Sequence, residues 1–225
     1  MKSYLLPTAI IDSDHPDVVQ FAADITAHCD GDPRSKAVAL YNAVRDGIRY
    51  DPYSPFHLPA HYRASETLKR GKGFCIPKAA LLCALARACG IPARMGFADV
   101  RNHLATRQLI DFLGSDLFVF HGFAELFLDG RWIKATPAFN AALCARFQVP
   151  PLAFDGVNDA VLQAFNDEAR PFMEYLADHG TFADVPVAAI VASWKKTYGA
   201  QQVAAWIAAF EAGGTSRDFA SEDVA

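Results

Sequence analysis

The stretch Gly71-Lys-Gly-Phe-Cys75-Ile-Pro77-Lys78-Ala-Ala-Leu-Leu-Cys83-Ala-Leu-Ala-Arg87-Ala-Cys89-Gly90-Ile-Pro92-Ala-Arg94 decides how the rest of the chain is read. Pro77 falls in the first turn of a helix, where its missing N–H costs nothing, and Gly90 followed by Pro92 ends that helix. Lys78 and Arg87 are its only charges and the spacing points them to opposite sides. The remaining surface is Ala, Leu and Cys, and a helix apolar on every face is buried with structure packed around it. Cys75 then stands at the N-terminus of a central helix. Free N–H groups and the helix dipole favour an anion there, so a thiolate is stabilised and Cys75 reads as a nucleophile. The competing reading is one more small residue of the core, the usual fate of a free cysteine.

Composition narrows the field. The 225 residues are 52% hydrophobic and 20% charged, with a net charge of -4. That is enough for a real core, and it gives no basic footprint for nucleic acid. The five cysteines include no C-x-x-C pair, which argues against a disulfide framework and a cysteine zinc site and fits a reducing, cytoplasmic compartment. The N-terminal apolar run is broken by Pro7 and does not read as a signal peptide. The central helix is too short to span a bilayer, so no membrane is expected.

Upstream, Ser13 or Asp14 reads as the cap of a helix with Pro16 in its first turn, and Asp32-Pro33 opens a second amphipathic helix. Residues 51–63 hold three prolines and form an ordered loop. His57 and His61 are spaced for two metal ligands on a helix, but Pro59 lies between them and no third ligand is evident, so no metal is expected. His103 and His179 fall in polar connections and read as solvated.

The second informative run is Leu117-Phe-Val-Phe-His121-Gly-Phe-Ala-Glu125-Leu-Phe-Leu-Asp129-Gly130-Arg-Trp132-Ile-Lys134-Ala-Thr136-Pro137. Two aromatic and β-branched segments around Asp-Gly predict a hairpin with a two-residue turn. That turn sets Phe127 opposite Trp132, Glu125 opposite Lys134 and Phe123 opposite Thr136. Alternation puts His121, Phe123, Glu125, Trp132, Lys134 and Thr136 on one face. Thr136 lies diagonal to His121, within side-chain reach. Glu125 and Lys134 read as a cross-strand ion pair, and Trp132 as a cleft or substrate-binding residue.

A buried helix that starts at a cysteine, followed by a strand carrying a histidine, is the arrangement of a Cys–His hydrolase. On the cysteine helix, the His121 hairpin and the segment Ala39-Leu-Tyr-Asn-Ala-Val-Arg-Asp-Gly-Ile-Arg-Tyr-Asp-Pro, the sequence resembles the transglutaminase-like superfamily over roughly residues 33–140. The resemblance implies an α+β fold: a papain-like core, with a buried nucleophile helix packed on an antiparallel sheet. It implies Cys75 as nucleophile and His121 as base. The family usually carries Asp where this chain has Thr136. A hydroxyl can accept a bond from the ring N–H but cannot stabilise an imidazolium by charge. Three accounts stay open: Thr136 orients a Cys–His dyad, Asn140 supplies the orienting amide, or the site is silent and the protein is a binding or scaffold module. The zinc-binding cysteine pairs of the peptide N-glycanase branch and the extra β-domains of animal transglutaminases are missing, so the chain looks like a small bacterial-type member.

The expectation is therefore a cysteine protease-like hydrolase or acyltransferase acting through a thioester on a peptide or small amide substrate, without cofactor. Residues 1–150 are expected to form the core and 151–225 a helical C-terminal extension. Within the extension, one long helix from Asp184 to Phe210 would cover the core, cap the cleft or form a homodimer interface. The last dozen residues read as a frayed tail.

Overall fold

A computed structural model describes residues 1–102, 105–161, 173–214 and 217–222. In chain order its elements are α1 (Pro16–Thr26), α2 (Pro33–Gly47), β1 (Arg49–Tyr50), α3 (Ala64–Arg70), β2 (Lys72–Gly73), α4 (Cys75–Ala88), β3 (Ala93–Asn102), α5 (Arg107–Leu113), β4 (Leu117–Leu128), β5 (Arg131–Ala135), α6 (Ala141–Arg146), β6 (Met173–Phe182), α7 (Val187–Tyr198) and α8 (Ala200–Glu211). Helix α4 is buried along its length and packs on α1, α2, α3, β3 and β4.

Because α4 has no wet side, its two cations cannot reach water. Lys78 is fully buried and donates to the carbonyls of Arg45 (3.0 Å) and Ile48 (2.5 Å) at the end of α2. A cation suits the negative end of that helix, although burial pulls the Lys78 pKa down to about 7. Arg87 donates to Ala93 O, Leu6 O (2.8 Å) and Ala183 O (2.7 Å). One guanidinium thus ties the N-terminal segment, the start of β3 and the chain after β6 to the central helix.

The main sheet is antiparallel with order β5-β4-β3-β6. The hairpin register is as the turn predicts, with Phe127 opposite Trp132 and Glu125 opposite Lys134. Asp129 and Gly130 take φ of 49° and 82°, the pair of left-handed conformations that such a turn needs. A two-residue parallel pairing of β1 with β2 brings Tyr50 beside Gly73, next to the start of α4.

Three expectations for the C-terminal third are corrected. Residues 151–225 are not a purely helical extension, because β6 pairs along β3 as the edge of the main sheet. This strand is mostly exposed, so it lacks the apolar alternation that identifies half-buried strands. The long helix is two, α7 and α8, because Gly199 turns the chain with φ of 94° and the pair fold against each other. The tail is anchored where it is described. Phe219 is buried against Tyr50, Tyr53 and Phe147. The Glu222 carboxylate accepts bonds from Tyr53 Oη and Thr106 Oγ1, both at 2.5 Å. Among the described residues no helix is long and apolar enough to cross a membrane.

Replacing Arg87 by Leu strands carbonyls from three segments. A buried unsatisfied polar group costs about 1–3 kcal/mol. Arg87→Leu should therefore lower the unfolding free energy in urea by roughly 3 kcal/mol or more; a loss below about 1 kcal/mol would remove its clamping role.

Candidate active site

The site forms where β4 crosses the first turn of α4. Gly122 sits directly against Ile76. A Cβ added to Gly122 would lie 2.9 Å from Ile76 Cγ1 and 3.1 Å from Ile76 Cα. The residues preceding this contact on each element are His121 and Cys75. Glycine on the strand lets β4 lie against the start of α4, and Cys75 and His121 both line one cavity. That cavity has about 60 Å³ of positions open to the centre of a water molecule. Its walls are Tyr50, Phe56 and Phe74 on one side, Phe112 of α5, Phe118 and Phe120 of β4, and Trp194, Tyr198, Trp206 and Phe210 of α7 and α8.

Cys75 is the first residue of α4, and the N–H groups of Gly122, Ile76 and Cys75 itself favour its thiolate. Burial outweighs them and pushes the thiol up to about 11. Burial alone pulls His121 down to about 4. At neutral pH the resting pair is thus thiol and neutral imidazole, and the thiolate expected at the helix start is not the resting form. Desolvation in an aromatic-walled cavity opposes charge on either partner more than three N–H dipoles favour it. Among the described residues no hydrogen bond joins Cys75 to His121, and such contacts are commonly loose without substrate.

On the other side of His121 lies a second small cavity of about 10 Å³, lined by His121, Thr136, Ala138, Phe139, Leu152, Val161 and Met173. His121 Nε2 and Thr136 Oγ1 are both buried without a hydrogen-bond partner. Thr136 is held by its backbone: its N–H donates to Ala160 O (2.8 Å) and its carbonyl accepts from Tyr41 Oη (3.1 Å). Asn140 is placed elsewhere. It precedes α6, and its Oδ1 accepts from the Tyr50 N–H at 3.4 Å, with no bond to His121.

Trp132 does not line the cleft. It shares a face with His121, but it pairs with Phe127, six residues further along β4. At about 3.3 Å per residue that is roughly 20 Å away. There it packs on Tyr4, Phe127 and the Arg94 guanidinium, 4.1 Å from its ring centroid. Glu125 is also redirected. Its partner is Arg94 of β3 (2.6 Å), while Lys134 Nζ lies 5.2 Å from the centroid of the Phe123 ring. A fork of donors on the adjacent strand offers the buried carboxylate a better match than a lysine reaching across.

Asp99 went unnoticed in the sequence, and His179 has a role there that the sequence did not reveal. Strand β4 carries one extra residue between the pairs Ala98–His121 and Val100–Phe118, and Phe120 takes φ of 57°. The Phe120 N–H donates to Asp99 Oδ1 (2.9 Å), and His179 Nε2 meets the same oxygen at 2.6 Å. The His179 ring stacks on Phe120 with centroids 4.1 Å apart. Asp99 and His179 thus hold the bulge immediately before His121, and His179 is not the solvated residue expected. Its position on β6 depends on long-range pairing that no local pattern shows. His103 lies outside the described residues. The His57 and His61 rings are 4.7 Å apart, with His57 Nε2 3.3 Å from Glu211 and His61 Nδ1 accepting from the Leu58 N–H.

The family model described as the transglutaminase-like superfamily matches residues 19–137, just over half of the chain. The chain belongs to this superfamily. No curated protein matches its sequence. Among solved structures it is similar to a putative cysteine protease from Cytophaga hutchinsonii, at 20% identity and a TM-score of 0.51. That likeness covers 83% of this chain and 48% of the other, so the chain spans about half the length of that relative. A putative protease from Parabacteroides distasonis matches at 16% identity and a TM-score of 0.37, over 56% of this chain and 25% of that one. The superfamily fold is an α+β core with the cysteine helix against an antiparallel sheet, as described above.

Gly122→Ala should push α4 away from β4. Overpacking of this kind costs about 1–3 kcal/mol, and the rate of Cys75 alkylation by a small haloacetamide should change with it. Gly47→Ala, where a Cβ meets nothing within 4 Å, is the control and should leave both unchanged. Equal behaviour of the two variants would show that the close approach is not required.

Proposed function

We propose that the protein is a cysteine-nucleophile enzyme that cleaves or exchanges an amide bond of a peptide or small amide through a thioester on Cys75. The observation that carries this reading is the aromatic-walled cavity that Cys75 and His121 share, beside the Gly122–Ile76 contact. In this reading His121 takes the thiol proton as sulfur attacks the carbonyl carbon. The N–H groups at the start of α4 face the negative charge that develops. Collapse breaks the C–N bond and His121 returns its proton to the departing amine. Water or a second amine then accepts the acyl group. The neutral resting pair requires proton transfer within the attack step, in place of a pre-formed ion pair.

Thr136 is the positioning residue behind the imidazole. Its hydroxyl and His121 Nε2 are both unpaired and line a space on the scale of one water molecule. A water bridging them would accept the Nε2–H and leave Nδ1 as the free base. A second reading, a silent site, is favoured by the threonine where the superfamily usually has a carboxylate.

Incubation with an activated thioester or ester probe should give one acyl adduct per chain on Cys75 by mass spectrometry, and none in Cys75→Ala. No adduct in the wild type, with one appearing in Thr136→Asp, would establish the silent site instead. The sign of the pH dependence follows from His121: its lowered pKa keeps the imidazole neutral until about pH 4. Acylation should therefore hold its rate down to about that pH and fall below it. Thr136→Asp should move this acid limb upward, because a nearby carboxylate favours imidazolium. A wild-type limb near the ordinary histidine value of 6.5 would contradict the burial account.

A further inference from the structure

The walls of the Cys75 cavity say what kind of group a substrate brings there. Apart from His121 and Cys75 they carry no ionisable group other than tyrosine, and the exposed surface is dominated by aromatic rings. The polar atoms of α7 that could meet a ligand are already used. Trp194 Nε1 donates to Val119 O (2.9 Å), and Tyr198 Oη bridges Leu117 O and Val119 N. Trp206 of α8 also lines the cavity and is 4% exposed, with its indole N–H closed off from solvent. Its ring is fixed by stacking on Phe112, with centroids 4.9 Å apart.

Size adds a limit. At roughly 10–15 Å³ of centre positions per water, the cavity holds about four to six waters. That is on the order of one benzyl or branched aliphatic group. We propose that the group bound beside the scissile carbonyl is uncharged and apolar, a single aromatic ring or short branched chain. This rests on the reading of Cys75 as the nucleophile. A carboxylate or ammonium on the same group would be stripped of water without an opposite charge to meet, which is the costliest kind of burial. The C-terminal elements α7 and α8 are then the specificity wall of the active site. Their lack of charge on this face selects against the charged side chains that most peptides carry.

The test uses the full chain and p-nitrophenyl esters of isovaleric, phenylacetic, 4-methoxyphenylacetic, succinic and 3-aminopropanoic acids. In each, the Cys75 sulfur bonds to the carbonyl carbon, the C–O bond breaks, and p-nitrophenol leaves with the thiol proton. The isovaleryl and two aryl esters should acylate about 100-fold faster than the two charged ones, after correction for their hydrolysis in buffer. A preference for either charged ester, or none between classes, overturns the proposal. Binding to Cys75→Ala separates this outcome from failure of the chemistry. Phenylacetamide should quench tryptophan fluorescence and bind at least about 10-fold tighter than succinamate whether or not any ester acylates the wild type. Equal or reversed affinities there would also overturn it.

Discussion

The contact of Gly122 with Ile76 is the constraint on which the site depends. Strand β4 can lie against the first turn of α4 only because one residue has no side chain, since a methyl group there would meet helix backbone at 3.1 Å. From that contact follow the neighbourhood of Cys75 and His121 and the N–H of Gly122 that faces the thiol. The rest of the architecture holds the two elements in this relation. Arg87 fastens three chain segments to α4, Lys78 fastens the end of α2, and the Asp99–His179 pair fixes the bulge at Phe120.

Closeness has an electrostatic consequence. A helix that is buried all round holds its first residue, Cys75, away from bulk water. The helix dipole and three N–H groups then compete with desolvation and lose, so Cys75 and His121 are both neutral at rest. Chemistry at such a pair couples proton transfer to bond formation. In the proposed reaction the aromatic wall that opposes charge on the pair is also what a substrate would meet, so reactivity and selectivity would share one physical cause.

Much of this was legible locally. The burial of α4 followed from an apolar surface interrupted by two charges, and the hairpin register from Asp129-Gly130. Both depend on interactions within a few residues. Alternation correctly put Trp132 on the His121 face, yet a face is long and Trp132 lies at its other end beside Tyr4 and Arg94. Glu125 found Arg94 in place of Lys134 because a third strand, unknown to the hairpin, offered a closer partner. Strand β6 and the anchoring of Glu222 were missed for the same reason: each is fixed by partners far away in sequence.

The sequence by itself determined the central helix, its leading cysteine, the strand histidine with Thr136 near it, and through them the superfamily. Those features are periodicity, turn chemistry and residue identity, all of short range. Only the tertiary structure decided the burial that opposes charge on the pair, the makeup of the cavity wall and the contacts of Asp99 and His179 at the bulge. Each depends on how much water the folded chain excludes, and that is a property of surfaces brought together from distant parts of the sequence.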